Sequence, residues 1–430
     1  MRPPLLYRCY VAATSILVPF ASWWTLRKLR RAGVPALRAF EKLGHASEVR
    51  RGSGPLIWFH AASVGESLSV LALITRMGQM LPRAQFLITS GTATSAELVA
   101  RRMPPRCLHQ FAPLDAPGPM KRFLKHWRPD AAVFVESEIW PQMLRRTRAH
   151  GTPMALVNAR ISAGSRKAWA KRPVTARYLF DVFDLILTQN ETMAETMIAL
   201  NAPTERVASG FNLKSLSDPL PVDDHTVADM RGTLNGRPVW VAASTHPGEE
   251  EIILDVHARL LRKHPDLCLI LAPRHPDRSS AVADIITKAD LSFTTRSEGD
   301  TATAQVFLAD TLGELGNWYA LAPFVFLGGS LHPIGGHNPF EVAQSGAMVL
   351  SGSHVANFAE TFDEMAAAGA AIMVADAKAL ETEIDGLLND PKRCSAGQQS
   401  ARRFAESKSD ALDNIAERLI HALKLESEAQ

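Results

Sequence analysis

PLIWFHAASVGE, residues 55–66, and PVWVAASTHPGE, residues 238–249, open two halves of the chain alike. Each runs through an apolar, strand-like segment, turns on small residues and reaches Gly-Glu where a helix begins. An acid in the first helical turn is favoured by the helix dipole. A parallel strand covered on both faces reads as such an unbroken apolar run. The repeated opening therefore predicts two Rossmann-like halves.

Outward from these openings, short β-rich runs alternate with helical stretches, the pattern of an α/β protein with parallel sheets. The first half offers strands at Leu56–His60, Phe86–Thr89, Ala131–Glu136, Met154–Asn158 and Asp184–Thr188. The second offers Val239–Ala243, Leu267–Ala272, Gln305–Asp310, Phe324–Gly328 and Ala347–Ser351. Residues 215–236 are rich in Pro, Asp and Gly and read as the linker. The expected domains are 31–214 and 237–430, with the terminal helix able to pack back on the first domain. Such domains are expected to turn the carboxyl ends of their strands toward a common cleft, where ligands bind.

The chain of 430 residues is too long for one ordinary core, and its 46% hydrophobic content suffices for two. Lys+Arg number 47 against 44 Asp+Glu, a balance that argues against a dedicated nucleic-acid binder. Cysteines 9, 107, 268 and 394 form no CxxC pair, which excludes zinc-ribbon and thioredoxin-like readings and any disulfide framework.

Between Arg8 and Arg27 stand eighteen uncharged residues, CYVAATSILVPFASWWTL, followed by RKLRR to Arg31. That is the lower edge of a membrane-spanning length. Trp23 and Trp24 suit an interface. Two tryptophans and a basic run make a poor signal-peptidase site. Residues 1–30 thus read as an uncleaved anchor, interfacial or spanning, with its basic flank on the cytoplasmic side. Residues 27–51 carry eight Lys/Arg and two acids, suited to anionic headgroups.

Neither half carries GxGxxG after its first strand, and no Walker motif is present, so dinucleotide oxidoreductases and P-loop kinases lose their best evidence. The densest segment is FLGGSLHPIGGHNPFEVA (326–343). Paired glycines let backbone N–H groups approach a phosphate, and a helix N-terminus favours the anion. Pro339 suits a first helical turn, and Glu341 could accept ribose hydroxyls. In PRHPDR (273–278) Arg274 should emerge at a strand end to meet a base or phosphate. Asp310-Thr311-Leu312-Gly313-Glu314 forms another loop at that edge, or a plain helix cap.

In HAASVGE (60–66), Glu66 is either a general base or a capping acid. Glu136 and Glu138 of FVESEIWP (134–141) stand at a strand end, where alternation is expected to send them to opposite sides, so that at most one faces the cleft. NARIS (158–162) and the basic run Arg166, Lys167, Lys171, Arg172 could meet an acidic acceptor. Lys214 in SGFNLK stands close to the linker. No cluster of His and carboxylates shows metal-ligand spacing.

Taken in order, these motifs resemble the 3-deoxy-D-manno-octulosonic acid (Kdo) transferases of lipopolysaccharide synthesis. The resemblance runs from the anchor through HAASVGE, ESEIWP, NARIS, STHPGEEE (244–251), PRHPDR and DTLGEL (310–315) to GGSL and GGHNPFE. It implies a GT-B fold with a first, acceptor domain and a second, donor domain. It also implies a CMP-Kdo donor, a lipid A precursor as acceptor, inverting transfer and the cytoplasmic face of the inner membrane. Glu66 resembles the family's catalytic base, and Glu136 and Lys214 its transition-state stabilisers. Pro273, Arg274, Leu312, Gly313, Glu314, Asn338, Pro339, Phe340 and Glu341 match its CMP-binding segments. GFNLK departs from the family pattern by carrying Phe211. No cofactor, catalytic metal or nucleic acid is expected. The competing readings are a GT-B transferase of another nucleotide sugar and a membrane-anchored nucleotide-sugar sensor without turnover.

Overall fold

Strand β1 (Leu56–His60) buries all five of its side chains, as a strand sandwiched between helices must. Its neighbours are β2 (Gln85–Ser90), β3 (Cys107–Phe111), β4 (Ala131–Val135), β5 (Met154–Ala159), β6 (Leu185–Thr188) and β7 (Val207–Ser209). The second set is β8 (Val239–Thr245), β9 (Cys268–Pro273), β10 (Phe293–Thr295), β11 (Val306–Leu308), β12 (Phe324–Leu327), β13 (Met348–Ser351) and β14 (Ala371–Met373). These strands are seen in a computed structural model that describes residues 2–210, 212–213 and 219–425.

Among the described residues the strands form two seven-stranded sheets, ordered β3-β2-β1-β4-β5-β6-β7 and β10-β11-β9-β8-β12-β13-β14. The strand pairs are parallel throughout, for instance His60 beside Thr89 and Phe134, and Leu327 beside Ala243 and Ser351. The direction in which strands are added reverses between β1 and β4, and again between β8 and β12. Loops leaving the carboxyl ends at such a reversal part to opposite faces and leave a crevice. The residues fall into two compact units, 1–216 with 410–430, and 217–409.

In the first unit, Trp58 packs against Phe123 and Phe134 at centroid distances of 4.7 and 5.3 Å. Its indole N–H donates to the buried Thr89 hydroxyl at 2.8 Å, which a buried Trp requires. In the second unit Trp240 donates to His257 Nδ1 at 3.2 Å. Leu254, Val256, Leu269, Phe326 and Leu350 surround it in the core.

The sequence-expected strands all occur, with shifted ends. The strand expected at Ala131–Glu136 stops at Val135, because Glu136 takes a left-handed φ of 55°. Gln305–Asp310 shrinks to Val306–Leu308. Strands β3, β7, β10 and β14 were not anticipated. The linker expected at 215–236 contains a helix, Asp224–Leu234, capped by Asp223 and burying Val227, Met230 and Leu234. Their spacing of three and four is that of a helix face, and the surrounding Pro, Asp and Gly mask it.

Among the described residues one helix, Leu5–Arg31, has the length and mean hydropathy (1.3) to cross a membrane, and it continues through Pro19.

Candidate active site

At the reversal in the first sheet, β1 ends at His60 and the chain turns over Ala61 and Ala62. Ala61 N–H donates to Thr89 O at 3.0 Å and Gly91 N–H to Ala62 O at 2.9 Å, pinning the turn to the end of β2. Ser63 then caps helix Val64–Ser69 in a reciprocal capping box with Glu66. The box satisfies N–H groups that a helix start leaves without partners. Glu66 is thus a capping acid by geometry, yet capping uses only one of its oxygens. Oε2 accepts from Ala62 N at 2.8 Å and Ser63 N at 3.3 Å, and Oε1 has no partner among the described residues. Burial raises the Glu66 pKa and the neighbouring Glu138 charge raises it further, against lowering by Ser63. A carboxylate held at one oxygen, open at the other and more basic than usual can take a proton.

Glu138 and Glu136 leave the adjacent strand end, and both are buried. They do diverge. Glu138 Oε2 lies 3.3 Å from His60 Nε2 and accepts from the Trp140 indole. Burial alone would raise its pKa, but these contacts with His60 and Trp140 outweigh it and hold the carboxyl below the usual range. Glu136 instead meets Asn158 Nδ2 at 3.4 Å and lies 3.9 Å from Arg160. A continued strand would have placed residues two apart on one face. The turn at Glu136 sends them apart. Asn158 is also left-handed, at φ 53°, and its Oδ1 accepts from Leu213 N at 3.1 Å. Two non-glycine residues in this costly region at adjacent strand ends mark a site built for position rather than ease. Lys214 lies outside the described residues.

The second reversal has a different content. β8 ends at Thr245, with Ser244 at φ 56°, and helix Glu249–Leu261 follows. Glu249 is fully buried. Its Oε2 accepts from His246 N (3.0 Å) and Gly329 N (2.7 Å), and its Oε1 from Ser330 N and Leu331 N (both 2.9 Å). The neighbouring Glu250 accepts from Arg278 (2.8 Å) and Thr245 Oγ1 (3.1 Å), fastening PRHPDR to the end of β8. Gly328 is required here: a Cβ would lie 2.7 Å from Ser244 O and from Thr245 Cα.

Around this pinned turn stand several of the expected nucleotide-contacting residues. Arg274 is exposed at the end of buried Pro273, its N–H donating to Thr245 O at 3.0 Å. Asn338 Oδ1 accepts from Phe340 N at 3.1 Å and so starts the short helix Phe340–Gln344 after Pro339, with Glu341 in its first turn. The 310–314 loop behaves otherwise than expected for free ligand groups. Asp310 accepts from Ser279 Oγ (2.6 Å), Ser297 N (2.9 Å) and Ser297 Oγ (2.8 Å), tying three loops. Arg296 grips both oxygens of Glu314, at 2.7 and 3.1 Å. That leaves the exposed Leu312 and the backbone at Gly313, whose φ is 86°, as the open face of the loop.

Sequence reasoning assigned no role to two features. One is the His60–Glu138 pair. The other is the stack of His246 on His337, with Nε2 atoms 2.9 Å apart and rings 7° from parallel. Burial first and the neighbouring His246 second push His337 down to about 4, and burial lowers His246 as well. No group of three or more His, Cys, Asp or Glu side chains among the described residues converges as a metal site would need.

The family described as 3-Deoxy-D-manno-octulosonic-acid transferase (kdotransferase) matches residues 37–216. An Arabidopsis thaliana protein named "Probable 3-deoxy-D-manno-octulosonic acid transferase, mitochondrial" is 33% identical over 422 residues, 94% of this chain and 93% of that protein. A Bordetella pertussis 3-deoxy-D-manno-octulosonic acid transferase is 32% identical over 419 residues, 94% of this chain and 96% of that protein. Among solved structures, a glycosyltransferase from Rickettsia africae is similar at a TM-score of 0.55 and 13% identity, over 87% of this chain and 100% of that one. At that identity the likeness shows the fold, which is GT-B-like.

Proposed function

The chain belongs to the 3-deoxy-D-manno-octulosonic acid (Kdo) transferase family, and from that premise we propose inverting transfer of Kdo from CMP-Kdo to a tetraacylated lipid A precursor, lipid IVA. Glu66 Oε1 takes the proton of the acceptor hydroxyl as that oxygen attacks C2 of Kdo. The bond from C2 to the phosphate oxygen breaks on the opposite face, and CMP departs with its electron pair.

The observation that carries this reading is the one-sided anchoring of Glu66: two N–H groups fix Oε2 and leave Oε1 open. Its raised pKa strengthens the base, since efficiency grows as the pKa nears the working pH. Glu136, oriented by Asn158 and Arg160, and Lys214 are proposed to stabilise the transition state. CMP is proposed to meet Pro273 and Arg274, the backbone of Leu312–Glu314, and the turn from Asn338 to Glu341. The basic run Arg27 to Arg31, suited to the anionic headgroups of a cytoplasmic leaflet, supports a place on the cytoplasmic face of the inner membrane.

Mass analysis of the product formed from purified protein, lipid IVA and CMP-Kdo tests the proposal. A product heavier by one or more Kdo units is expected. Transfer from a UDP-sugar instead, or CMP binding without any product, would overturn it.

A further inference from the structure

We infer that the N-terminal helix Leu5–Arg31 lies flat in the surface of an anionic bilayer and does not cross it. The inference goes beyond the proposed reaction and shares with it only the premise of a membrane-bound protein.

The helix is docked on the first unit at both ends. Near its start, Tyr7 packs edge-on against Tyr178 at 5.1 Å, and Tyr10 Oη donates to Asp115 at 2.7 Å. Asp115 in turn accepts from Gln142 N (3.2 Å) and Met143 N (2.6 Å), just beyond the Glu138–Trp140 turn. Near its end, Leu29 is buried with Ala39, Ala96 and Phe111, and Leu26 packs on them. Arg30 stands over the Phe40 ring at 6.0 Å. Between these docks Val11, Thr14, Val18 and Thr25 are partly covered. That spacing of three, four and seven is one continuous helical face.

From Tyr7 to Leu29 the axis runs ~33 Å at ~1.5 Å per residue. A spanning helix must give a hydrocarbon core of ~30 Å that same length. It cannot do so while one face is held against a polar body carrying Asp115 and Arg145, since such groups do not enter hydrocarbon. The opposite face is what an in-plane helix needs. Ile16, Leu17, Phe20, Trp23 and Trp24 are 78, 58, 68, 57 and 55% exposed. Arg27 and Lys28 lie over the rings of Trp23 and Trp24, each at 5.4 Å. An apolar face ending in tryptophans and a basic run complements the acyl boundary below and anionic headgroups above.

The test uses the full chain in vesicles of phosphatidylcholine and phosphatidylglycerol, with the exposed Cys9 replaced by serine. Single spin labels are placed through Leu6→Cys, Ile16→Cys, Phe20→Cys and Trp24→Cys, and their depth is read from collisions with oxygen and a nickel chelate. An in-plane helix puts all four at one shallow depth, ~5–10 Å below the headgroups, and shields a label at Val18→Cys from both reagents. A profile that is deepest at Ile16, with Leu6 returning to water on the far side, would overturn the inference. So would labels that miss lipid and couple spin to spin, the sign of a second copy seated on this face. Tyr7→Ala with Tyr10→Phe releases only the first dock, so the Leu6 label should gain mobility while the Trp24 label keeps its depth. The readout needs no Kdo, so an inactive protein with shallow labels would sink the proposed reaction and leave this inference standing.

Discussion

In the first unit the chain leaves β1, turns over three small residues and starts a helix that carries Glu66. In the second it leaves β8, turns over His246, Pro247 and Gly248, and starts one at Glu249. Both glutamates follow a glycine, and both lie beside the strand across which their sheet reverses. What comes from that neighbouring strand separates them. After β4 come two more carboxylates, which with burial make the Glu66 charge costly. After β12 come the N–H groups of Gly329, Ser330 and Leu331, which occupy the Glu249 oxygens. One signature thus yields a half-open carboxylate and a buried pin, and the difference is made by the next loop rather than by the glutamate's own turn.

The comparison breaks most sharply at Glu66. Glu66→Gln keeps the capping box, which accepts Gln at that position, but cannot take a proton. Turnover should fall by ~10²–10⁴ with thermal unfolding nearly unchanged. Turnover close to that of the parent chain would remove Glu66 as the base.

Glu249→Gln should invert that pattern. Its amide turns one acceptor into a donor facing N–H groups, and unsatisfied buried donors cost ~1–3 kcal/mol each. Calorimetry should show stability lower by roughly 2–4 kcal/mol on this principle, with CMP affinity weakened through the displaced 329–331 loop. An unchanged melting temperature would mean the four hydrogen bonds do not pin the turn.

Arg274→Ala tests whether the pinned second turn serves nucleotide binding. Losing a charge-assisted contact worth ~1.5 kcal/mol weakens CMP about tenfold, measurable by calorimetry. Equal affinity would place the nucleotide elsewhere.

The smallest expected effect sharpens the electrostatic side. As the proposed base Glu66 must be deprotonated to act, and its pKa is raised, so the rate should be lost as pH falls through that raised value. Glu138, held ionised by His60 and Trp140, contributes to the rise. Glu138→Gln should therefore move the acidic limb of the kcat/KM profile to lower pH. Movement to higher pH would mean Glu138 does not act through its charge.

Much of the fold was legible. The unanticipated strands are β3 and β7 in one sheet and β10 and β14 in the other, and these four are the sheet edges. Three of them have only three residues. A strand with neighbours on both sides must be apolar throughout, and that run is visible. An edge strand has one hydrogen-bonding partner and looser cover. His109 and Gln110 in β3, or Thr294 and Thr295 in β10, leave no apolar run to read. The Asp224–Leu234 helix was concealed by the same reliance on composition.

The candidate site divides along a similar line. By itself the sequence determined two parallel α/β halves, an acid at each helix start, and the paired glycines of the 326–343 segment. Those follow from local rules of apolar run, cap and turn, which act within a few residues. Only the tertiary structure decided which acid keeps an open oxygen, that Glu314 is gripped by Arg296, that Glu136 and Glu138 part at a left-handed turn, and that His246 stacks on His337. Each of these depends on residues from 18 to 91 positions away along the chain, brought together by strand order. A hydrogen bond or a desolvated charge is fixed by what stands within a few ångströms, and sheet topology, not sequence spacing, sets that company.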